Sequence, residues 1–235
     1  MQTLPINFIL NNRLVLVVGG GAIAWQKVDV LKRNGASVRV VAPAILQEIR
    51  DCKPDEILNR PFTEKDLDGI DLVIAATDRM RLNSKIRELA HQRGLLVNVV
   101  DIPELCDFIF PSILSRGPLR VSVSTGGTGP ALARMLRQEL ESLYPAATGM
   151  LLEHLEQMRT ETRRHTICPG ARRAIAECLS RRVMKGRNDD VVLLMDEMRE
   201  IVETLPVAIA NEQRCRSALN RKLGLWTDGI MEKVS

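Results

Sequence analysis

Leu14-Val15-Leu16-Val17-Val18-Gly19-Gly20-Gly21-Ala22-Ile23-Ala24 decides how this chain folds. Five consecutive apolar residues, three of them Val, read as a strand buried on both faces, as in a parallel sheet. Gly19 and Gly21 then open a turn, and Ala24 fills the third small position of a G-x-G-x-x-G/A pattern. Small residues there let backbone N–H groups approach a pyrophosphate, while the following helix points its positive end at it. A glycine run after a strand can also be a plain tight turn. Here strand, turn and helix stand in the order that dinucleotide binding requires.

Working outward, strands and helices alternate over the first hundred residues. Ala22 to Asn34 reads as a helix closed by Asn34-Gly35. Ser37 to Val41 reads as a second strand, stopped by Pro43, and Ile57 to Phe62 as a third. Leu72 to Ala76 is a fourth, Arg79 to Arg93 a helix ended by Gly94, and Leu95 to Val100 a fifth strand. This order implies an α/β fold with a doubly wound, Rossmann-type parallel sheet.

The pattern changes near residue 108. Phe108 to Leu114 is short and apolar, Arg116-Gly117-Pro118 looks like a turn, and Leu119 to Ser124 alternates with period two. A hairpin or an extension of the sheet edge would both fit. Thr125-Gly126-Gly127-Thr128-Gly129 is a second glycine-rich loop, and Pro130 suits the first turn of a helix from Ala131 to Leu143. From Pro145 onward the signal is helical. Leu151, Leu152, Leu155 and Met158 share one face, and Val191, Leu194, Met195 and Met198 another. Basic residues crowd the stretch from Arg159 to Arg187, opposed only by Glu161 and Glu177; between Asp189 and Glu203 the balance reverses.

The 235 residues are enough for one large domain or two small ones; 45% are apolar and 26% charged, ordinary values for a globular protein. Aromatics make up only 3%, which argues against a single-stranded nucleic-acid binder that needs stacking platforms. No apolar run approaches a membrane span, and the first residues carry no basic leader signature. Five cysteines without C-x-x-C spacing suit free thiols in a reducing cytoplasm. His91, His154 and His165 do not pair at ligand spacing, so no metal site is expected and each reads as exposed or partly packed.

Four stretches carry a resemblance to a known family. They are Leu4-Pro5-Ile6 leading into Gly19 to Ala24 and Lys27; Ile74 to Asp78; Asn98 to Asp101 with Pro103 and Phe108-Ile109-Phe110-Pro111; and Arg116 to Leu119 with Ser124 to Arg134. In order and spacing they resemble the dehydrogenase/chelatase module of sirohaem biosynthesis, namely the precorrin-2 dehydrogenases and the N-terminal module of sirohaem synthase. The resemblance spans residues 4 to about 143 and is weak beyond residue 150. It implies a Rossmann domain over residues 1–112, a small α+β dimerisation region over 113–145 and an all-helical domain over 146–235. It also implies a homodimer that oxidises precorrin-2 to sirohydrochlorin with NAD as hydride acceptor. Some members also insert ferrous iron into the product.

By that resemblance Asp101 is the candidate for the chemistry. It lies just past a strand's carboxyl end, where open α/β sheets place ligands, and could accept a proton. Read from sequence alone, it could equally cap a turn with Ile102-Pro103. Gly19, Gly20, Gly21, Ala22, Ile23, Pro43, Ala44, Thr77 and Asp78 are the expected cofactor contacts, although Thr77-Asp78 also fits a helix N-cap. Asn98, Arg116, Ser124, Thr125, Gly126, Gly127 and Arg134 are the expected substrate contacts, because precorrin-2 carries eight carboxylates and arginines fork onto carboxylates. The chain departs from the family pattern at Ala44, where relatives often carry an acid, at Gln26 and at Gly129. No acid therefore follows the second strand to grip a ribose hydroxyl, and NAD over NADP is implied by the resemblance alone. A sirohydrochlorin ferrochelatase and a non-catalytic NAD-binding sensor are the alternative readings.

Overall fold

The structure, a computed structural model, describes residues 3–165 and, beyond them, positions 173, 176, 177 and 180. The expected helical face of Val191 to Met198, the acidic run, most of the basic stretch and Cys168, Cys178 and Cys215 lie outside the described residues. The chain divides into two compact units between Phe110 and Pro111.

In the first unit the elements follow in order: β1 (Leu14–Val18), α1 (Ala22–Arg33), β2 (Ser37–Val41), α2 (Gln47–Asp51), β3 (Glu56–Leu58), β4 (Leu72–Ala75), α3 (Met80–His91) and β5 (Leu96–Val99). The five strands are all parallel, in the order β3-β2-β1-β4-β5. Chain order reverses between β1 and β4, which opens a crevice at their carboxyl ends.

β1 explains its own position. Val15 and Val17 pack on one face of the sheet with Ala24, Val28 and Leu31 of α1 and Ile49 of α2. Leu16 and Val18 pack on the other with Ile86 and Ala90 of α3. A strand with both faces covered cannot alternate with polar residues, hence its unbroken apolar run. Both long helices end alike. Ala36 and Gly35 donate to Leu31 and Lys32 after α1, and Leu95 and Gly94 donate to Ala90 and His91 after α3. Gly35 and Gly94 supply the left-handed residue that this closure needs.

The third strand is shorter than its sequence suggests. It covers Glu56–Leu58 rather than Ile57 to Phe62, because the Arg60 N–H folds back on Leu58 O at 2.9 Å and Pro61 has no N–H to donate. The short α2 and the 3₁₀ turns Glu64–Leu67 and Pro103–Leu105 were not expected.

The second unit holds β6 (Ser112–Arg116) and β7 (Leu119–Val123), an antiparallel pair forming its own two-stranded sheet, so the hairpin reading is the right one. Next come α4 (Pro130–Leu143) and α5 (Ala147–His165). Gly117 in the hairpin turn and Gly149 in α5 approach so closely that a Cβ on Gly117 would sit 3.0 Å from the Gly149 Cα. Leu151 is buried, and Leu152, Leu155 and Met158 are half-buried, along the expected face of α5. His154 lies on that face too and is buried, not exposed or partly packed, because it stands one turn from both Leu151 and Met158.

Candidate functional site

The glycine turn is held against two other strand ends. Gly19 N–H donates to Val41 O, Leu46 N–H donates to Gly20 O and Ala76 N–H donates to Val18 O. A Cβ on Gly20 would lie 2.9 Å from the Ala44 carbonyl carbon and closer still to its oxygen, so only glycine allows the 44–46 segment this near. Gly21 is different: nothing lies within 4 Å of where its Cβ would be. Gly19 to Ile23, Pro43-Ala44 and Thr77-Asp78 are thus brought together at the carboxyl ends of β1, β2 and β4.

The start of α1 is uncapped. Gly21 is its N-cap, no side chain caps the helix and no acid stands in its first turn. The first-turn N–H groups of a helix have no acceptor within it, and an uncapped helix start beside an open glycine is the kind of arrangement that receives a pyrophosphate. Nicotinamide dinucleotide fits these residues. No carboxylate follows β2; Ala42, Pro43 and Ala44 stand there.

Thr77 does not cap α3, whose N-cap is Arg79 without a side-chain bond. Its hydroxyl instead donates to Asn83 Oδ1 at 2.6 Å, and Asn83 Nδ2 donates to Thr77 O at 3.0 Å. Asn83 is buried and fixes the loop after β4. Nothing marked it in the sequence, where an Asn inside an amphipathic helix reads as surface.

Asp101 closes a turn in which Ile102 N–H donates to Val99 O at 3.3 Å, while Val100 N–H still pairs with Ala75 O of β4. Its backbone is left-handed, at φ 62°, and its side chain is exposed. Asp tolerates that region better than most residues but not freely. Beneath the turn, Cys106 Sγ donates to Val99 O at 3.0 Å and accepts from Val99 N–H at 3.2 Å. Burial pushes its thiol pKa up, so it remains the neutral thiol that this bonding requires. Cys52 and Cys106 are free thiols. Asn98 is buried, and its Nδ2 donates to Phe108 O at 2.8 Å.

The expected substrate residues on the second unit fall at two ends of α4. Near its N-terminus, Gly126 and Gly127 take left-handed backbones and Thr125 Oγ1 accepts the Gly129 N–H at 3.1 Å. The Ser124–Gly129 loop is therefore internally bonded rather than a loose connector. Arg134 is exposed and, among the described residues, carries no hydrogen bond or ion pair. Arg116 lies at the other end, where its Nε donates to Tyr144 O at 2.9 Å and closes the helix. The 14 residues of α4 put about 20 Å between these ends. Among the described residues no group of three or more His, Cys, Asp or Glu side chains could hold a metal ion, and no helix is long and apolar enough to cross a membrane.

A parallel sheet with this strand order, a glycine turn at its switch point and an uncapped helix above it define a Rossmann-type nicotinamide-dinucleotide-binding protein. Residues 6–112 match the family model described as putative NAD(P)-binding, and residues 116–143 match the one described as sirohaem biosynthesis protein central. Over these two segments the chain is similar to proteins of sirohaem biosynthesis.

Over 178 residues it is 48% identical to siroheme synthase 1 of Pectobacterium atrosepticum, covering 74% of this chain and 37% of that relative. Over 198 residues it is 40% identical to the siroheme synthase of Nitrosococcus oceani, covering 81% of this chain and 42% of the relative. It spans less than half the length of these relatives. Among solved structures it matches the fold of SirC, a precorrin-2 dehydrogenase, with a TM-score of 0.72 at 23% identity, covering 86% of this chain and all of that one.

Proposed function

We propose that this chain is an NAD-dependent dehydrogenase that oxidises precorrin-2 to sirohydrochlorin, working as a homodimer in the cytoplasm. One observation carries the reading. An exposed carboxylate, Asp101, stands at the end of β5, one strand from the β4 end of the crevice where the dinucleotide binds. The match of residues 116–143 to a sirohaem biosynthesis model supports the substrate.

The oxidation removes one hydride and one proton from the tetrapyrrole. NAD, when bound, accepts the hydride on its nicotinamide. The chain must orient the two partners and take the proton, and Asp101 is the base offered for that step. Being solvent-exposed, it can pass the proton to water. The uncapped start of α1 holds the pyrophosphate, and the Thr77–Asn83 loop closes the crevice beside β4. The Ser124 to Gly127 loop and Arg134, whose guanidinium has no partner among the described residues, are offered to the substrate's carboxylates.

Dimerisation has its own support. Leu132, Met135, Leu136 and Leu143 form an exposed apolar stripe along α4, with Ile113 of β6 and Met150 of α5 exposed in the same unit. Apolar surface concentrated in this way suits an interface between two copies.

The test is anaerobic incubation of the purified chain with precorrin-2 and NAD, then with NADP in place of NAD, followed by absorbance. Growth of the sirohydrochlorin spectrum with stoichiometric reduction of the cofactor is expected. Absence of turnover with either cofactor overturns the dehydrogenase reading. Adding Fe²⁺ afterwards tests metal insertion in the same cuvette.

A further inference from the structure

Every basic side chain of α1 except one has a partner. Lys32 pairs with Asp55 at 2.8 Å and Arg33 with Asp29 at 2.8 Å. Lys27 is the exception. It is half-buried, yet its ammonium has no hydrogen bond and no ion pair among the described residues. Its Nζ stands 4.3 Å from the centroid of the Phe110 ring. Phe110 is packed against the α1 face of the sheet, with Phe108 tilted against it at 5.7 Å. A ring face attracts a cation but accepts none of its N–H groups in the way an oxygen does. Its donors therefore have no protein acceptor among the described residues.

Its location narrows what they await. Lys27 lies in the second turn of α1, just past the N–H groups proposed above to hold the pyrophosphate, and its ammonium rests on Phe110, which follows β5 in the chain. Burial lowers the pKa of its ammonium, and the Asp101 carboxylate works against that shift. The cation thus feels the field of the group assigned to proton transfer without forming an ion pair with it.

We propose that Lys27 receives a carboxylate of the substrate, so that an anionic side arm anchored on its ammonium sets the reacting carbon before Asp101. The identity of the substrate rests on the precorrin-2 reading above; the need for an anion rests on the unpaired ammonium. Lys27 is in this account a substrate-binding residue, with no proton to transfer.

Lys27→Met keeps the stem against Phe110 while removing the charge, because a thioether packs well on a ring. Lys27→Arg keeps the charge. Steady-state oxidation of precorrin-2 and binding of NAD, followed by tryptophan fluorescence, are measured for both. The expected result is a KM for precorrin-2 raised on the order of 10- to 100-fold in Lys27→Met, the range for a lost charge-assisted hydrogen bond. kcat should change little, NAD binding should hold, and Lys27→Arg should recover most of the loss. An unchanged KM, or a loss of NAD affinity equal to that of precorrin-2, overturns the proposal.

Binding of uroporphyrin III, which has eight carboxylates, separates the two claims. If the unaltered chain oxidises nothing but binds this probe, and Lys27→Met weakens that binding at least tenfold, the dehydrogenase reading falls and the carboxylate site stands. Equal binding by both overturns the carboxylate site, whatever the enzyme does.

Discussion

Thr77 and Asn83 hold each other by three bonds, the hydroxyl donating to Oδ1 at 2.6 Å, the Thr77 N–H to the same oxygen at 3.3 Å, and Nδ2 donating to the Thr77 carbonyl at 3.0 Å. The lock joins the end of β4 to the second turn of α3 and leaves the Thr77 hydroxyl oxygen accepting the Arg79 N–H at 3.2 Å. Asn83→Ala leaves these groups unpaired in a buried place. We expect it to cost about 1–3 kcal/mol in urea denaturation. NAD binding should weaken as well, because the loop beside the crevice is no longer fixed. Unchanged NAD affinity with lowered stability would make the lock purely structural.

Two adjacent glycines should respond in opposite ways. Gly20→Ala drives a methyl into the Ala44 carbonyl, so the chain should lose stability or fail to fold. Gly21→Asp places its side chain in open space and should fold normally. Its carboxylate then occupies the pyrophosphate position, and NAD binding should be lost in a calorimetric titration. Retained NAD affinity in Gly21→Asp would remove the turn from the cofactor site.

Acid should unfold the first unit through three aspartates. The side-chain bond from Lys32 and the Val38 N–H lower the pKa of Asp55, and those of Arg13 and the Leu14 N–H lower that of Asp71. For Asp66 burial pushes upward, but Arg60 and the Thr63 N–H outweigh it. Each carboxyl is more acidic folded than unfolded, where its value is about 3.9. Their stabilisation is complete above that unfolded value and is lost as pH falls below it through the folded values. Melting temperature should therefore drop steeply below about pH 4. Asp66→Asn should lower it at pH 7 and flatten that limb.

The apolar stripe on α4 predicts a dimer that one charge can split. Light scattering at micromolar concentration should give twice the chain mass for the unaltered protein and a smaller mass for Met135→Lys. Met135 is 57% exposed, so the substitution disturbs no core. A monomeric mass for the unaltered protein would reject the dimer.

The sheet was legible because β1 and β4 are buried on both faces, which forces an unbroken apolar run that few other structures need. The ends of β2 and of both long helices were legible for a similarly local reason, since Pro43, Gly35 and Gly94 act through their own backbones. The third strand was misread because Phe62 is apolar for another purpose. It packs into the core from beyond Pro61 and not from the strand. Asn83 gave no local sign of a role, because its importance comes from Thr77, placed beside it only by the fold; Lys27 was marked by the family resemblance, but its packing on Phe110 was not. Asp101 was legible by position, whereas its left-handed backbone was not.

That backbone changes how Asp101 should be tested. At φ 62°, an alanine would remove the carboxylate and add strain of about 1 kcal/mol, so a loss of activity in Asp101→Ala mixes two causes. Asp101→Asn tolerates the same backbone and keeps the shape while losing the base. Asp101→Gly fits the backbone better still and has no side chain at all. If the carboxylate accepts the proton, both Asn and Gly variants should lose on the order of 10²–10⁴-fold in kcat, with stability and NAD binding intact. If the residue only orients substrate by a hydrogen bond, Asn should retain much of the rate and Gly should not. If it serves only to make the turn, Asp101→Gly should be as active as the unaltered chain and at least as stable. Stopped-flow absorbance with precorrin-2 and saturating NAD separates these three outcomes, and full activity in both variants would remove Asp101 from the chemistry.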